Sequence, residues 1–187
     1  MLILASASPR RRELLARTGL PFTAVNAEAD ETPPPGASPC ETALALARRK
    51  AEAARRFARP GDVVLAADTV VDLDGRALGK PKDGAQARAM LAALSGRGHL
   101  VHTGFCILCG SREESGAETT AVTFFPLTAE EIDRYVATGA PMDKAGAYGV
   151  QGLGALLVQR VDGDFYNVVG LPIARVARLL RQFPSGG

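Results

Sequence analysis

Short, nearly continuous apolar runs alternate with stretches whose hydrophobic residues recur every three or four positions, and turn formers separate the two kinds. That alternation of strand and helix signals predicts a mixed α/β architecture. Residues 2–7 read as a short buried strand. Residues 9–18 read as a helix with Ser8 as N-cap, Pro9 at its first position and Gly19 just past its end. A second strand is expected over 21–28, before the turn-rich Thr32-Pro33-Pro34-Pro35-Gly36. Ser38-Pro39-Cys40-Glu41 is a capping box that opens a helix running to about residue 58.

Residues 62–71 form a strongly apolar strand, with Asp72-Leu73-Asp74-Gly75 as a hairpin turn. Asp83 opens a helix ending near Ser95-Gly96. A strand over 99–109, a polar turn over 110–118 and a strand over 119–126 follow. Thr128-Ala129-Glu130-Glu131 is a second capping box, for a helix ending at Gly139. Residues 140–153 make a long glycine-rich loop. A strand at 155–161, a turn at Asp162-Gly163 and a strand near 164–169 come next. The last helix begins at Pro172 and lines up Ile173, Val176, Ala177, Leu180 and Phe183 as a core stripe.

Composition narrows the function classes. The 187 residues suit one domain spanning 1–187, folded as two lobes, and 47% hydrophobic with 22% charged residues is ordinary for a packed core. A net charge of +2 argues against non-specific nucleic-acid binding, and the absence of Trp with 5% aromatics argues against a base-stacking platform. No apolar run approaches the roughly 18 residues of a membrane span. Met1-Leu2-Ile3-Leu4-Ala5 is too short for a signal peptide, so a cytoplasmic address is expected. Three cysteines make no disulfide framework. Of the 22 cations only four are lysines, Lys50, Lys80, Lys82 and Lys144, which draws attention to where a compact ammonium has been kept.

Four segments carry candidate chemistry. Ala5-Ser6-Ala7-Ser8-Pro9-Arg10-Arg11-Arg12 leads from a strand into a helix N-terminus, where cations are unfavourable by about 0.3–1 kcal/mol each unless an anion binds. Amides, Ser hydroxyl and Arg forks together suit phosphate, against the alternative of a solvated basic cap. In Val63-Val64-Leu65-Ala66-Ala67-Asp68-Thr69-Val70-Val71, an ionised Asp68 needs a metal or cationic partner, or else merely caps a loop. Such an Asp can hold a divalent cation or act as general base. Leu78-Gly79-Lys80-Pro81-Lys82-Asp83 clusters two lysines without a Walker phosphate loop. Lys50, at helical spacing from Leu46, Ala53 and Phe57, either serves a site or snorkels. In the loop after Gly139, Tyr148 offers a flat face and Gln151 a carboxamide able to pair with a base edge.

Other features are discounted. Cys106 and Cys109, and likewise His99 and His102, fall three apart in a strand and so point to opposite faces, unsuited to one metal. No Gly-x-Ser-x-Gly supports a serine nucleophile.

Taken together, Leu4-Ala5-Ser6-Ala7-Ser8-Pro9-Arg10-Arg11-Arg12-Glu13-Leu14-Leu15, Ala67-Asp68-Thr69-Val70-Val71, Leu78-Gly79-Lys80-Pro81, Asp143-Lys144-Ala145-Gly146-Ala147-Tyr148-Gly149-Val150-Gln151-Gly152 and Asn167-Val168-Val169-Gly170-Leu171-Pro172 resemble the Maf family of septum-formation-inhibitor-like nucleoside triphosphate pyrophosphatases. The resemblance implies a central mixed twisted sheet flanked by helices, two lobes around a cleft, and kinship in fold with inosine triphosphate pyrophosphatases. It implies hydrolysis between the α- and β-phosphates. Asp68 matches the catalytic acid/base position. Arg11, Thr69 and Gln151 match positions tied to substrate choice, and Glu31, Lys50 and Lys80 match further polar positions of the cleft. Ala-Gly-Ala-Tyr-Gly-x-Gln-Gly resembles the dTTP/UTP-selective subgroup. Arg12 departs from the family, which often has an uncharged polar residue there.

The chemistry fits those residues. Ser8, Arg11, Lys50 and Lys80 suit phosphate oxygens, Asp68 with Glu31 suits Mg²⁺ or Mn²⁺ or an oriented water, and Gln151 suits the O4/N3 edge of uracil or thymine. The expected partner is a nucleoside triphosphate, with neither nucleic acid nor membrane, and a homodimer agrees with the family. Rival readings are the same reaction on 7-methyl-GTP or another modified nucleotide, and a non-hydrolysing nucleotide-binding regulator of cell division.

Overall fold

The computed structural model describes residues 1–183. Seven strands form one mixed sheet: β1 (Leu2–Ala5), β2 (Phe22–Val25), β3 (Val63–Leu73), β4 (Arg76–Leu78), β5 (Gly98–Cys109), β6 (Arg112–Phe124) and β7 (Val158–Asp162). Their order is β2-β1-β3-β5-β6-β7, with β4 against β3. β1 runs parallel to β2 and β3, and the remaining pairs are antiparallel. The helices among the described residues are α1 (Pro9–Ala16), α2 (Pro39–Ala54), α3 (Gly84–Leu94), α4 (Ala129–Ala137), α5 (Phe165–Val169) and α6 (Ile173–Leu180).

Period-two alternation on β3 sorts these helices onto two faces. Leu65 and Ala67 pack with Leu14 and Leu15 of α1 and with Ile173, Val176 and Leu180 of α6. Further along the same face, Val71 and Leu73 pack with Ala87, Leu91 and Leu94 of α3 and Ile132 and Val136 of α4. Val64 and Ala66 look the other way, onto Ala47, Ala51 and Ala54 of α2. That run of alanines, with Ala43, keeps α2 low on the sheet. Gly104 of β5 completes the fit: a Cβ there would lie 2.4 Å from the Ala43 carbonyl.

The edge of β3 facing β1 is what opens a cleft. β1 pairs with it only as far as Ala5 opposite Ala66, and β4 takes up the same strand only from Val71, opposite Leu78. Ala67, Asp68, Thr69 and Val70 therefore keep β5 as their one ladder partner.

Most predicted elements are present, including both capping boxes and the Ser8 and Asp83 caps. Four differ. The apolar strand continues to Leu73, and Asp74 and Gly75, both at positive φ, form the hairpin turn instead of the whole 72–75 stretch. Residues 112–118 are strand, not turn. Their polarity reflects an open edge, because β7 pairs with β6 only over Ala121–Phe124, and charge on such an edge deters unwanted pairing. The loop after Gly139 contains short 3-10 turns, Ala140–Asp143, Ala145–Ala147 and Gly152–Leu157, which delay the next strand to Val158. The stretch 164–169 is helical: the Asp164 carboxylate accepts from the N–H groups of Tyr166 and Asn167, and this cap outweighs a β-branched, aromatic composition.

Candidate active site

The unpaired stretch of β3 lines a cavity of about 690 Å³ that also receives α1, α2, the loop after β4 and the loop after α4. Asp68 and Thr69, being consecutive strand residues, point to opposite faces at this edge. The cavity consequently has two walls of different chemistry.

The first wall faces α2. Lys50 lies on the same side of that helix as Leu46, and its ammonium turns inward: Nζ stands 2.5 Å from Asp68 Oδ1 and 2.7 Å from Glu31 Oε1. Snorkelling is thereby excluded. Asp68 and Lys50 are both largely withdrawn from solvent, whereas Glu31 remains open to the cleft. The hydrogen bond from Lys50 holds the Glu31 carboxyl below the ordinary carboxylate range, with Lys80 and Arg11 adding to the effect through their charge. Lys80 is exposed at the cavity margin, on a loop tied down where Gly79 accepts from the Gly146 N–H at 3.0 Å.

The second wall faces α1 and α5. Ser8 caps α1, its hydroxyl accepting the Arg11 N–H at 3.5 Å, and the three arginines that follow diverge. Arg10 reaches across the cleft mouth to Asp143 at 2.9 Å. Arg12 is exposed, its guanidinium 3.5 Å from the Ala7 carbonyl. Arg11 alone turns inward, donating from Nε to the Gly170 carbonyl at 2.8 Å and from Nη2 to Thr69 Oγ1 at 3.0 Å. Burial lowers its pKa, while the nearby Asp68 charge opposes that shift; a guanidinium stays protonated regardless. Gly170 has φ +125° and brings its carbonyl to the guanidinium in a conformation closed to other residues.

Gln151 is exposed at the cavity and makes no hydrogen bond through its side chain among the described residues. Ser8, Arg11, Glu31, Lys50, Asp68, Thr69, Lys80 and Gln151 are thus brought to one cavity from six separate segments. Tyr148 is not the open face expected of it. Its hydroxyl is 2.7 Å from His99 Nε2, and its ring stacks edge-on against Phe124 and His99 inside the core. The flat apolar ring is spent on packing the core.

Both histidines and Cys106 are buried in the core. His102 lies between Thr119 and Asp72, and burial pushes the Cys106 thiol up to about 12. No cluster of three or more metal-ligating side chains occurs among the described residues. Two further contacts at the second wall escape sequence reasoning. Thr103 hydrogen-bonds Thr69 at 2.9 Å and donates to the Asn167 carbonyl at 2.9 Å. A threonine in an apolar strand carries no signal of its own, and its partner is 34 positions away. The Arg10–Asp143 pair, 133 positions apart, is equally invisible in one dimension.

Residues 1–183 match the family described as Maf-like protein. A protein of Bacillus cytotoxicus named dTTP/UTP pyrophosphatase is 51% identical over 98% of this chain and 96% of its own length. One of Symbiobacterium thermophilum with the same name is 52% identical over 97% and 93%. Among solved structures, the nucleoside-triphosphatase / dITP/XTP pyrophosphatase of Mycobacterium abscessus aligns over 97% of this chain and 96% of its own at TM-score 0.49 and 17% identity. The Ham1 protein of Staphylococcus aureus aligns over 66% and 71%, at TM-score 0.44 and 16% identity.

Proposed function

The chain belongs to the Maf-like protein family, and from that premise we propose that it is a nucleoside triphosphate pyrophosphatase acting on dTTP and UTP. Water adds to phosphorus, the bond between the α- and β-phosphates breaks, and the nucleoside monophosphate and pyrophosphate leave. The observation that carries this reading is Asp68 held by Lys50 at the floor of a cavity whose opposite wall presents hydrogen-bonding groups suited to a base.

The two walls divide the labour. On the α2 side, Asp68 accepts the proton of the attacking water, and Lys50 fixes the orientation of the carboxylate. Lys50, Lys80, Ser8 and the α1 N-terminus neutralise charge on the polyphosphate. On the α5 side, Arg11, Thr69 and Gln151 address the base. Arg11 belongs with this wall because its guanidinium is committed to Thr69 and Gly170.

The donor set also fits a divalent cation. Asp68 and Glu31 both reach the Lys50 ammonium and so lie close together in the cleft, and Mg²⁺ or Mn²⁺ is commonly held by one or two carboxylates with phosphate oxygens and waters completing the shell. Asp68 and Glu31 are the residues that would hold such a cation, which would supply charge neutralisation on the phosphates and lower the pKa of a bound water.

Pyrophosphate release from dTTP, UTP, CTP, 7-methyl-GTP and ITP, with Mg²⁺ or Mn²⁺ and with Asp68→Asn as control, tests the reading. Asp68-dependent release from dTTP and UTP is expected. Preference for 7-methyl-GTP keeps the reaction and overturns the base assignment; silence of a folded protein across the panel overturns the reaction.

A further inference from the structure

We propose that Thr103, which lies behind the cavity wall, is a positioning residue that fixes the Thr69 hydroxyl as a hydrogen-bond acceptor toward the base, and so makes the cleft select the N3–H shared by uracil and thymine. The inference rests on reading the cavity as a nucleoside triphosphate site.

A backbone carbonyl only accepts, so the bond from Thr103 Oγ1 to the Asn167 carbonyl, 2.9 Å, commits the one Thr103 hydroxyl proton to Asn167. Thr103 can then only accept from Thr69, whose hydroxyl is 2.9 Å away. That commits the Thr69 proton in turn. Arg11 has no acceptor, so its 3.0 Å contact with Thr69 Oγ1 uses one oxygen lone pair. One lone pair remains on Thr69, and the cavity is the open side of that residue.

Every step of this relay is anchored in rigid structure. Thr69 and Thr103 are directly opposed in the β3–β5 ladder, and Thr103 is fully buried. Asn167 is fully buried as well, its side-chain amide donating to the Val101 carbonyl and to Thr120 Oγ1, both at 3.0 Å. Arg11 is clamped by the Gly170 carbonyl. Neither hydroxyl can turn without breaking a bond that nothing nearby replaces.

The consequence is chemical selectivity. The wall offers a ligand an acceptor at Thr69 beside the remaining N–H donors of Arg11. The imide edge of uracil and thymine, a carbonyl next to N3–H, complements that pair. Cytosine presents a lone pair at N3, which opposes the Thr69 lone pair and leaves both unsatisfied; a site built to receive a hydrogen-bond donor rejects a ligand lacking it strongly.

The test is calorimetric binding of the non-hydrolysable α,β-imido analogues of UTP and CTP to wild type, Thr103→Val and Thr103→Ser, with thermal midpoints measured alongside. Wild type is expected to prefer the uracil analogue, Thr103→Val to lose roughly tenfold or more of that preference by freeing the Thr69 proton to meet cytosine N3, and Thr103→Ser to keep it. A merely structural role for Thr103 would weaken both analogues alike and leave the ratio unchanged, and that result overturns the proposal. Should Thr103→Val not fold, the α,β-imido analogue of N3-methyl-UTP with wild type decides: binding as tight as that of the uracil analogue overturns the proposal, and binding no better than that of the cytosine analogue supports it. Base preference without any hydrolysis of UTP would instead count against the reaction proposed above, and leaves this inference standing.

Discussion

The ammonium of Lys50 sits 2.5 Å from the carboxylate of Asp68, across the gap between a helix and the unpaired stretch of a strand. The second carboxylate, Glu31, approaches the same ammonium from the solvent side. Asp68 is thereby aimed without being sealed off. Lys50→Met is expected to lower kcat by about 10²–10⁴-fold, the range for loss of a positioned acid/base. Cavity water still reaches Asp68, so the thermal midpoint should fall by only a few degrees. Steady-state kinetics beside a melting curve separates the two effects.

Gly104 tests how that contact is built. Its ladder partner is Asp68, and the place its Cβ would occupy is 2.4 Å from the Ala43 carbonyl. Gly104→Ala must push α2 off the sheet, and Lys50 rides on α2. A loss of about 1–3 kcal/mol in stability is expected from overpacking, together with a drop in kcat that the destabilisation alone does not account for at temperatures where the variant is fully folded. Denaturant unfolding and initial rates check both parts.

Much of this arrangement is legible in the chain and part of it is not. Ser8, Ser38, Asp83 and Thr128 announce their helices because a capping side chain acts on backbone three residues away. Asp68 and Lys50 stand out because each is a charge set among apolar residues, and such a charge needs a partner. That they are each other's partner is a fact of packing between α2 and β3. Residues 112–118 mislead, since charge on an open strand edge and charge in a turn look alike in one dimension. Residues 164–169 mislead in the opposite sense, through a cap that overrides propensity. Thr103 gives no sign at all, because its whole role lies in which neighbour receives its proton.

Burial sets an acid limit on the fold. His99 is packed against Phe124 and Tyr148, and its removal from water lowers its pKa from 6.5 to about 4. The folded state then refuses a proton that the unfolded state accepts, so the fold's advantage is complete above pH 6.5 and is lost as pH falls from 6.5 toward 4. The full loss is about 3 kcal/mol. Melting midpoints between pH 7 and pH 4 should fall more steeply for wild type than for His99→Gln, which removes the titrating group.

Glu31 and Asp68, both within reach of the Lys50 ammonium, are the carboxylates expected to hold a metal. Chelation should stop pyrophosphate release, and Mg²⁺ or Mn²⁺ should restore it. Glu31→Gln, which keeps the shape and removes one anionic donor, should raise the metal concentration needed for half-maximal rate by about tenfold while leaving Lys50 beside Asp68. A metal titration of rate for wild type and variant reads this directly.

The Arg10–Asp143 pair closes the mouth of the same cleft from its two sides, and its worth lies in binding more than in folding. Asp143 is exposed and Arg10 partly so, and such a bridge contributes about 1 kcal/mol or less to stability. Arg10 nevertheless stands in the first turn of α1, where a further cation is unfavourable and an incoming polyphosphate is not. A triphosphate competes with Asp143 for this guanidinium and offers more charge. Arg10→Ala is accordingly expected to raise KM about five- to tenfold with kcat within a factor of about three, and with little change in melting midpoint. Asp143→Asn should not raise KM, because it leaves Arg10 free for phosphate. Raising the salt concentration should narrow the gap between wild type and Arg10→Ala, as screening weakens an exposed charge. If both substitutions raise KM equally and salt leaves the gap unchanged, the pair acts as a structural tie across the mouth and Arg10 has no part in holding substrate.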